Sequence, residues 1–143
     1  SMNKGGCVIV IEDDIDDQFL IHEVFTELNY PNEIIFFGDG QEALEFLING
    51  NKNRFLILSD INLPKLSGLE LRVKLKTDAD IHLKCIPYLF FTTAANQQAV
   101  MDAYSTSVQG FFTKPNSYPE MRKQIKVIMD YWTHCSAPNN FLL

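Results

Sequence analysis

Short runs of consecutive apolar residues alternate along the chain with longer segments in which apolar residues recur every three or four positions. Four runs occupy residues 7–11, 34–37, 55–58 and 88–91, and a fifth segment at 108–112 is apolar except at Gln109 and Gly110. None of them alternates between apolar and polar positions, which is typical of strands buried on both faces within a parallel sheet. The pattern therefore predicts five strands.

Five helices are predicted to follow these strands. Their inward-facing residues are Ile21, Val24, Phe25 and Leu28 in the first, Leu44, Leu47 and Ile48 in the second, Leu71 and Leu75 in the third, Val100, Met101 and Tyr104 in a weaker fourth helix over 95–105, and Met121, Ile125 and Ile128 in the fifth over 119–132. In the third helix we expect Arg72, Lys74 and Lys76 to face water, and we expect residues 77–84 to form a polar connection. Five such units predict an α/β fold, with helices on both faces of a parallel sheet of strand order 2-1-3-4-5.

Length and composition limit the kind of protein. With 143 residues, of which 46% are hydrophobic, the chain is long enough for one substantial core, so we expect a single domain over 6–132 and a C-terminal tail over 133–143. The net charge of −6 and the lack of a Lys/Arg cluster argue against direct nucleic-acid binding and against binding to an anionic membrane surface. The three cysteines are far apart, which argues against a disulfide framework or a zinc site. No stretch resembles a signal peptide or an apolar membrane span, so we expect a soluble cytoplasmic protein.

Polar residues follow four of the predicted strands at the point where each strand ends. They are Glu12 and Asp13 after the first strand, Asp60 after the third, Thr92 after the fourth and Lys114 after the fifth. Because the carboxyl ends of parallel strands meet at one edge of the sheet, where ligands bind in open α/β folds, we expect these side chains to share one crevice. Asp60 alone would be equally compatible with a residue that starts the turn toward Pro64.

The chemistry of this group indicates phosphoryl transfer. Three clustered carboxylates repel one another unless a cation binds them, and a set of oxygen ligands with room for water suits Mg²⁺. A hydroxyl group and an ammonium group beside them complement the charged oxygens of a phosphoryl group. A carboxylate is itself able to act as the nucleophile that accepts phosphate.

At these residues the sequence resembles the receiver domain of two-component response regulators, over roughly residues 6–132. The matching residues are Glu12-Asp13, Asp60 followed by Ile61-Asn62-Leu63-Pro64 and Gly68, then Thr92, and finally Lys114-Pro115. The resemblance implies a three-layer, flavodoxin-like (CheY-like) fold and a stand-alone receiver without an output domain. Such a protein is a phosphoacceptor that takes part in its own phosphorylation and dephosphorylation and is not a conventional enzyme.

Several roles follow from the resemblance rather than from the spacing of residues. Asp60 would accept a phosphoryl group from a histidine kinase or a phosphotransfer protein, and Mg²⁺ or another divalent cation would be bound by Asp13, Asp60, the backbone carbonyl of Asn62 and, mainly through water, Glu12. Lys114 would pair with Asp60 and later with the phosphate, and Thr92 would donate its hydroxyl group to a phosphate oxygen. Phe111 occupies the switch aromatic position, and Lys114-Pro115 is expected to be a cis peptide. The downstream protein target would bind the face formed by the fourth helix, the fifth strand and the fifth helix.

Other interpretations of the same residues remain open. Asp14, Asp16 and Asp17 are most simply read as acidic residues that favour the start of the first helix. A receiver fold used only as a phosphorylation-independent interaction module is the main alternative function. An aspartyl-phosphate hydrolase of the haloacid type needs a second acid two residues after its nucleophile, where this chain has Asn62. The Tyr131-Trp132 pair and residues 141–143 form either a partner or homodimer surface, or a locally packed helix end and a frayed tail.

Overall fold

The computed structural model describes residues 5–93 and 95–138. The elements in chain order are β1 (Cys7–Ile11), α1 (Ile15–Leu28), β2 (Ile34–Phe37), α2 (Gly40–Asn49), β3 (Arg54–Ser59), α3 (Gly68–Thr77), α4 (Ile81–Lys84), β4 (Tyr88–Thr92), α5 (Gln97–Tyr104), β5 (Gly110–Thr113) and α6 (Tyr118–His134). The surface predicted from the fourth helix, the fifth strand and the fifth helix therefore consists of α5, β5 and α6 in this numbering.

The five strands form one parallel sheet in the order β2-β1-β3-β4-β5, as predicted. The sheet has an apolar core on each face because successive side chains of a strand point to opposite sides. In β3, Ile57 packs into the core on one side with Leu71 of α3, whereas Leu56 packs into the core on the other side with Val24 of α1 and Ile125 of α6. The result is the expected three-layer α/β fold.

Arg72 is the clearest exception to the predicted pattern of exposure. It was expected to face water, yet it is only 3% exposed in α3. Its guanidinium group donates hydrogen bonds to the carbonyl oxygens of Thr106 (3.1 Å) and Ser107 (2.7 Å), and its Cζ lies 5.6 Å from the centre of the Tyr88 ring. A cation is therefore buried here because tertiary contacts supply carbonyl groups and an aromatic face, and neither is visible in the local sequence.

The other differences concern helix faces and boundaries. Ile48, Met101 and Tyr104 were expected to face inward and are exposed, whereas the small Ala103 is the buried residue of α5. Residues 77–84 include the single-turn helix α4, which buries Leu83. The predicted fifth strand starts two residues later than expected, and α6 continues to His134, past the predicted domain boundary.

Two further expectations are answered by the described residues. These contain no cis peptide bond, so the expected cis geometry of Lys114-Pro115 is wrong, and the trans form is the one that an X-Pro bond ordinarily favours. Within the same residues, none of the helices combines the length and the apolar content that crossing a bilayer requires. The predicted partner surface over 141–143 lies outside the described part of the chain.

Candidate functional site

Four strand ends meet at one edge of the sheet. The backbone pairing continues past the strands, because the N–H of Asp60 donates to the carbonyl oxygen of Ile11 (2.9 Å) and the N–H of Lys114 donates to that of Thr92 (2.6 Å). These bonds set the register between neighbouring strand ends. Consequently, the polar residues at the carboxyl ends of β1, β3, β4 and β5 face a common crevice, as the sequence predicted.

Asp60 is at the centre of the crevice, where it is 7% exposed. Its Oδ1 accepts hydrogen bonds from the backbone N–H groups of Ile61 (2.6 Å) and Asn62 (3.2 Å) and from the hydroxyl group of Thr92 (2.5 Å). Its Oδ2 accepts a hydrogen bond from Lys114 (3.0 Å). This carboxylate is therefore oriented through both oxygens by groups on β4 and β5 as well as by its own loop.

Lys114 reaches the same point from the end of β5, and its side chain is 6% exposed. In addition to Asp60, its Nζ donates to Glu12 and to Oδ2 of Asp17 (2.9 Å). Burial alone would lower the pKa of Lys114. The hydrogen bonds to these three carboxylates together raise this pKa by more than burial lowers it, so the net shift is upward. The lysine is therefore held as a cation inside a group of anions.

Asp17 lies in the crevice beside Lys114, a position that sequence reasoning did not predict. It was read as a residue that favours the start of α1, and its backbone N–H does bond to the Asp14 side chain at the helix N-cap. The position also faces Lys114, which is 97 residues further along the chain. No local signal separates this acid from its neighbour Asp16, because the distinction depends only on which side of the helix turn faces β5.

Glu12 is the most deeply buried of the four acids, with 2% exposure. Its Oε2 accepts a hydrogen bond from the backbone N–H of Asp14 (3.0 Å). Burial raises the pKa of Glu12 to about 7, against the opposing effect of its hydrogen bond with Lys114. This glutamate is thus poorly neutralised by the protein alone.

The acids also form a potential cation site. One carboxylate oxygen from each of Glu12, Asp13 and Asp60 lies within 4.8 Å of the others, with Asp13 on the exposed rim. These oxygen ligands match the preference of Mg²⁺, and the open rim leaves space for water. The residues present therefore fit a divalent cation.

Gly68 forms the floor beneath Asp60. A Cβ atom at this position would lie 2.0 Å from the backbone oxygen of Asp60. Only glycine therefore permits the start of α3 to approach the backbone of Asp60 so closely. The carbonyl oxygen of Gly68 also accepts a hydrogen bond from the buried hydroxyl group of Tyr88 (2.9 Å). The glycine of the sequence motif is thus explained by packing.

The predicted switch residues lie on adjacent strands. Thr92 is buried and already bonded to Asp60, whereas Phe111 on β5 is half-buried. The ring of Phe111 is tilted by 52° against that of Phe90, with 6.1 Å between the ring centres. Phe111 therefore packs against the strand that ends at Thr92.

Comparison with known proteins agrees with this geometry. The response regulator receiver domain model matches residues 8–126. Response regulator Rcp1 from Synechocystis sp. is 31% identical, over 91% of this chain and 90% of its own length. The structure of the phosphorylated cyanobacterial phytochrome response regulator RcpA has a TM-score of 0.85 at 28% identity, covering 94% of this chain and 99% of that one. The Mn²⁺-bound form of Rcp1 has a TM-score of 0.82 at 29% identity, covering 93% of this chain and 99% of that one.

The family match spans most of the chain, and it includes each of the four strand ends that carry the site. This chain therefore belongs to the response regulator receiver domain family.

Proposed function

We propose that Asp60 accepts a phosphoryl group from a histidine kinase or a phosphotransfer protein, and that the phosphorylated chain then binds a downstream protein. The observation that carries this proposal is the arrangement around the Asp60 carboxylate, where a hydroxyl group, an ammonium group and two further acids converge. The phosphorylated state of RcpA, a related protein, supports it.

The chemistry is an in-line displacement on phosphorus. A carboxylate oxygen of Asp60 forms the new P–O bond while the P–N bond of the donor phosphohistidine breaks, and the donor imidazole keeps the electron pair and takes up a proton. Lys114 and Thr92 donate to oxygens of the transferred group, which is where the negative charge resides. The chain therefore takes part in its own phosphorylation without acting on a separate substrate, unlike a conventional enzyme.

Glu12, Asp13 and Asp60 would hold the divalent cation, with the backbone carbonyl of Asn62 as a further ligand. A bound Mg²⁺ would offset the charge of these acids and of the incoming phosphoryl group. The Mn²⁺-bound form of the relative Rcp1 supports this assignment. Lys114 supplies only one positive charge to this group of acids, so negative charge remains on the group to bind the cation.

The output is proposed to be a change of the surface formed by α5, β5 and α6. Once Asp60 carries phosphate, Thr92 follows a phosphate oxygen, and the space it leaves alters the packing of Phe111 on Phe90. Met101, Tyr104, Val127 and Tyr131 expose apolar area on this surface, which suits a protein partner or a second copy of the chain.

Because the kinase draws its phosphate from intracellular ATP, we expect the exchange to occur in the cytoplasm.

The direct test is incubation with acetyl phosphate and Mg²⁺, followed by intact-mass measurement. The wild type should gain one phosphoryl group, and Asp60→Asn should gain none. Asp102→Asn is the matched control, because Asp102 is exposed on α5 and bonds only locally to Gln98. The proposal fails if the wild type stays unmodified in the presence of Mg²⁺, or if Asp60→Asn is modified equally.

A receiver fold that serves only as an interaction module is the alternative. It predicts that the protein does not bind Mg²⁺ and that affinity for its partner is the same with and without beryllofluoride, a phosphoryl mimic. Calorimetric titration with Mg²⁺ separates the two functions, and Asp13→Asn should weaken binding if the acids form the cation site. Mg²⁺ binding by the wild type that is lost in this variant would rule the alternative out.

A further inference from the structure

We propose that Asp17 is a positioning residue that keeps the Lys114 ammonium group beside Asp60 when the cation and the phosphoryl group draw the other acids away. This inference rests on the proposed function and adds a residue to its machinery. It arises from one feature of the geometry, which is that Lys114 contacts three carboxylates and only two of them belong to the cation site.

The ammonium group of Lys114 is saturated by its three acidic partners. It has three N–H protons, and its Nζ is in hydrogen-bond contact with Glu12, Asp17 (2.9 Å) and Asp60 (3.0 Å). Its side chain is 6% exposed, so water is a poor substitute for any of these acceptors. Each proton therefore depends on a protein oxygen.

Two of the three acceptors have a second task. Glu12 and Asp60 belong to the group whose oxygens lie close enough to bind one cation, together with Asp13. A bound cation competes with Lys114 for these oxygens, and phosphorylation of Asp60, which forms an acyl phosphate, removes the charge from its carboxylate. Asp17 is outside that group and remains available to Lys114 throughout.

The position of Asp17 is set by the start of α1. Its N–H bonds to the Asp14 side chain (3.0 Å), while the neighbouring Gln18 side chain donates to the carbonyl oxygen of Glu12 (2.5 Å). The first turn of the helix is thus attached to the end of β1. Asp17 is therefore held in place by its helix. Its side chain is 29% exposed, so it also remains in contact with water.

Removing the Asp17 carboxylate would leave one N–H of Lys114 without an acceptor, and the expected consequence follows from this loss. With Glu12 and Asp60 engaged by the cation and the phosphoryl group, Lys114 would keep a buried N–H without a partner, and the side chain would be drawn toward solvent and away from the phosphate. A hydrogen bond to a charged group is worth enough to change an equilibrium by about tenfold or more. We therefore expect Asp17→Ala to bind beryllofluoride about tenfold more weakly than the wild type at saturating Mg²⁺.

Three substitutions at Asp17 and one control separate charge from shape. Asp17→Glu keeps the negative charge on a longer arm and should retain most of the wild-type affinity for beryllofluoride. Asp17→Asn keeps the shape without the charge and should retain less, and Asp17→Ala should bind most weakly. Asp16→Asn is the matched control, because it removes a charge from the same helix turn at an exposed position. Its affinity should stay within about twofold of the wild type, which is the ordinary scale for a substitution away from a specific contact.

The measurements are calorimetric titration with beryllofluoride and the initial rate of phosphorylation by acetyl phosphate, both at saturating Mg²⁺. Urea unfolding of each variant shows that the fold is intact. The inference is overturned if Asp17→Ala binds as tightly as the wild type or more tightly, or if Asp17→Glu is as weak as Asp17→Ala. If the wild type itself neither binds beryllofluoride nor accepts phosphate, the proposed function has failed, and this result is distinct from a failure of the Asp17 inference.

Discussion

Replacing Lys114 with methionine tests how the acidic crevice is stabilised in the absence of a cation. Methionine has a similar length and no charge, so Lys114→Met removes the ammonium group while filling much of the same space. Glu12 and Asp60 would then be left as carboxylates of 2% and 7% exposure without their cationic partner. The only other route to neutralisation is to bind protons or a metal ion.

The magnitude follows from the burial of the pair. Removing one partner of a buried ion pair costs about 3–5 kcal/mol, because the remaining charge is left uncompensated. With a dependence on urea of about 2 kcal/mol per molar, this loss lowers the unfolding midpoint by about 2 M. The effect should be full near pH 8 and smaller near pH 6, because burial already raises the pKa of Glu12 to about 7 and a protonated glutamate needs no cationic partner.

The assay is urea unfolding followed by circular dichroism, in chelator and again with saturating Mg²⁺. Because Mg²⁺ neutralises the same carboxylates, it should restore much of the lost stability of Lys114→Met. Lys52→Met is the control, since Lys52 forms a comparably short ion pair with Glu33 on the surface (2.6 Å) and its unfolding midpoint should stay near that of the wild type. A metal-free Lys114→Met protein as stable as the wild type at pH 8 would refute the view that this ammonium group holds the crevice together.

Three further predictions concern other parts of the site and its supports. Gly68→Ala should lower the free energy of unfolding by about 1–3 kcal/mol, because the new Cβ would overlap the backbone of Asp60, whereas Gly38→Ala has open space and should change it by less than about 0.5 kcal/mol in urea unfolding. Because the pKa of Glu12 is raised from 4.5 to about 7, this group binds more protons in the folded than in the unfolded state between those two values, and its contribution to metal-free stability falls as pH rises through this window. Glu12→Gln should remove that contribution from the pH dependence of urea unfolding, and an unchanged dependence would contradict this. Arg72→Met should cost about 2 kcal/mol in the same unfolding assay through the loss of charge-assisted bonds to two carbonyl groups, and a neutral result would mean that those bonds contribute nothing net.

The strands and most buried helix positions were predictable because their signal is local. An uninterrupted apolar run such as that of β3 identifies a strand covered on both faces, and Ile125 and Ile128 repeat at the spacing of one helix face. Prediction was wrong where the apolar surface of a helix was broader than the face it buries. In α5 the larger Met101 and Tyr104 point to solvent, and the small Ala103 is the residue that packs into the core.

The site divides in the same way. Glu12, Asp13, Asp60, Thr92 and Lys114 were predictable because each lies at the end of a strand or within two residues after it, and parallel strands bring their carboxyl ends to one edge. Asp17 and Arg72 were not predictable from their neighbourhoods. Both are charged residues on helices, where the ordinary expectation is contact with water, and both find their partners on segments distant in sequence.

The sequence by itself determined the order of strands and helices, the two apolar layers and the identity of the acidic and basic groups that meet at the sheet edge, because periodicity and strand ends are properties of adjacent residues. Only the tertiary structure decided which charges are paired. Whether Lys114 binds two acids or three, and whether Arg72 is hydrated or buried, depends on distances between elements that lie far apart along the chain. Such distances are set by the packing of the whole domain, and no short stretch of sequence contains them.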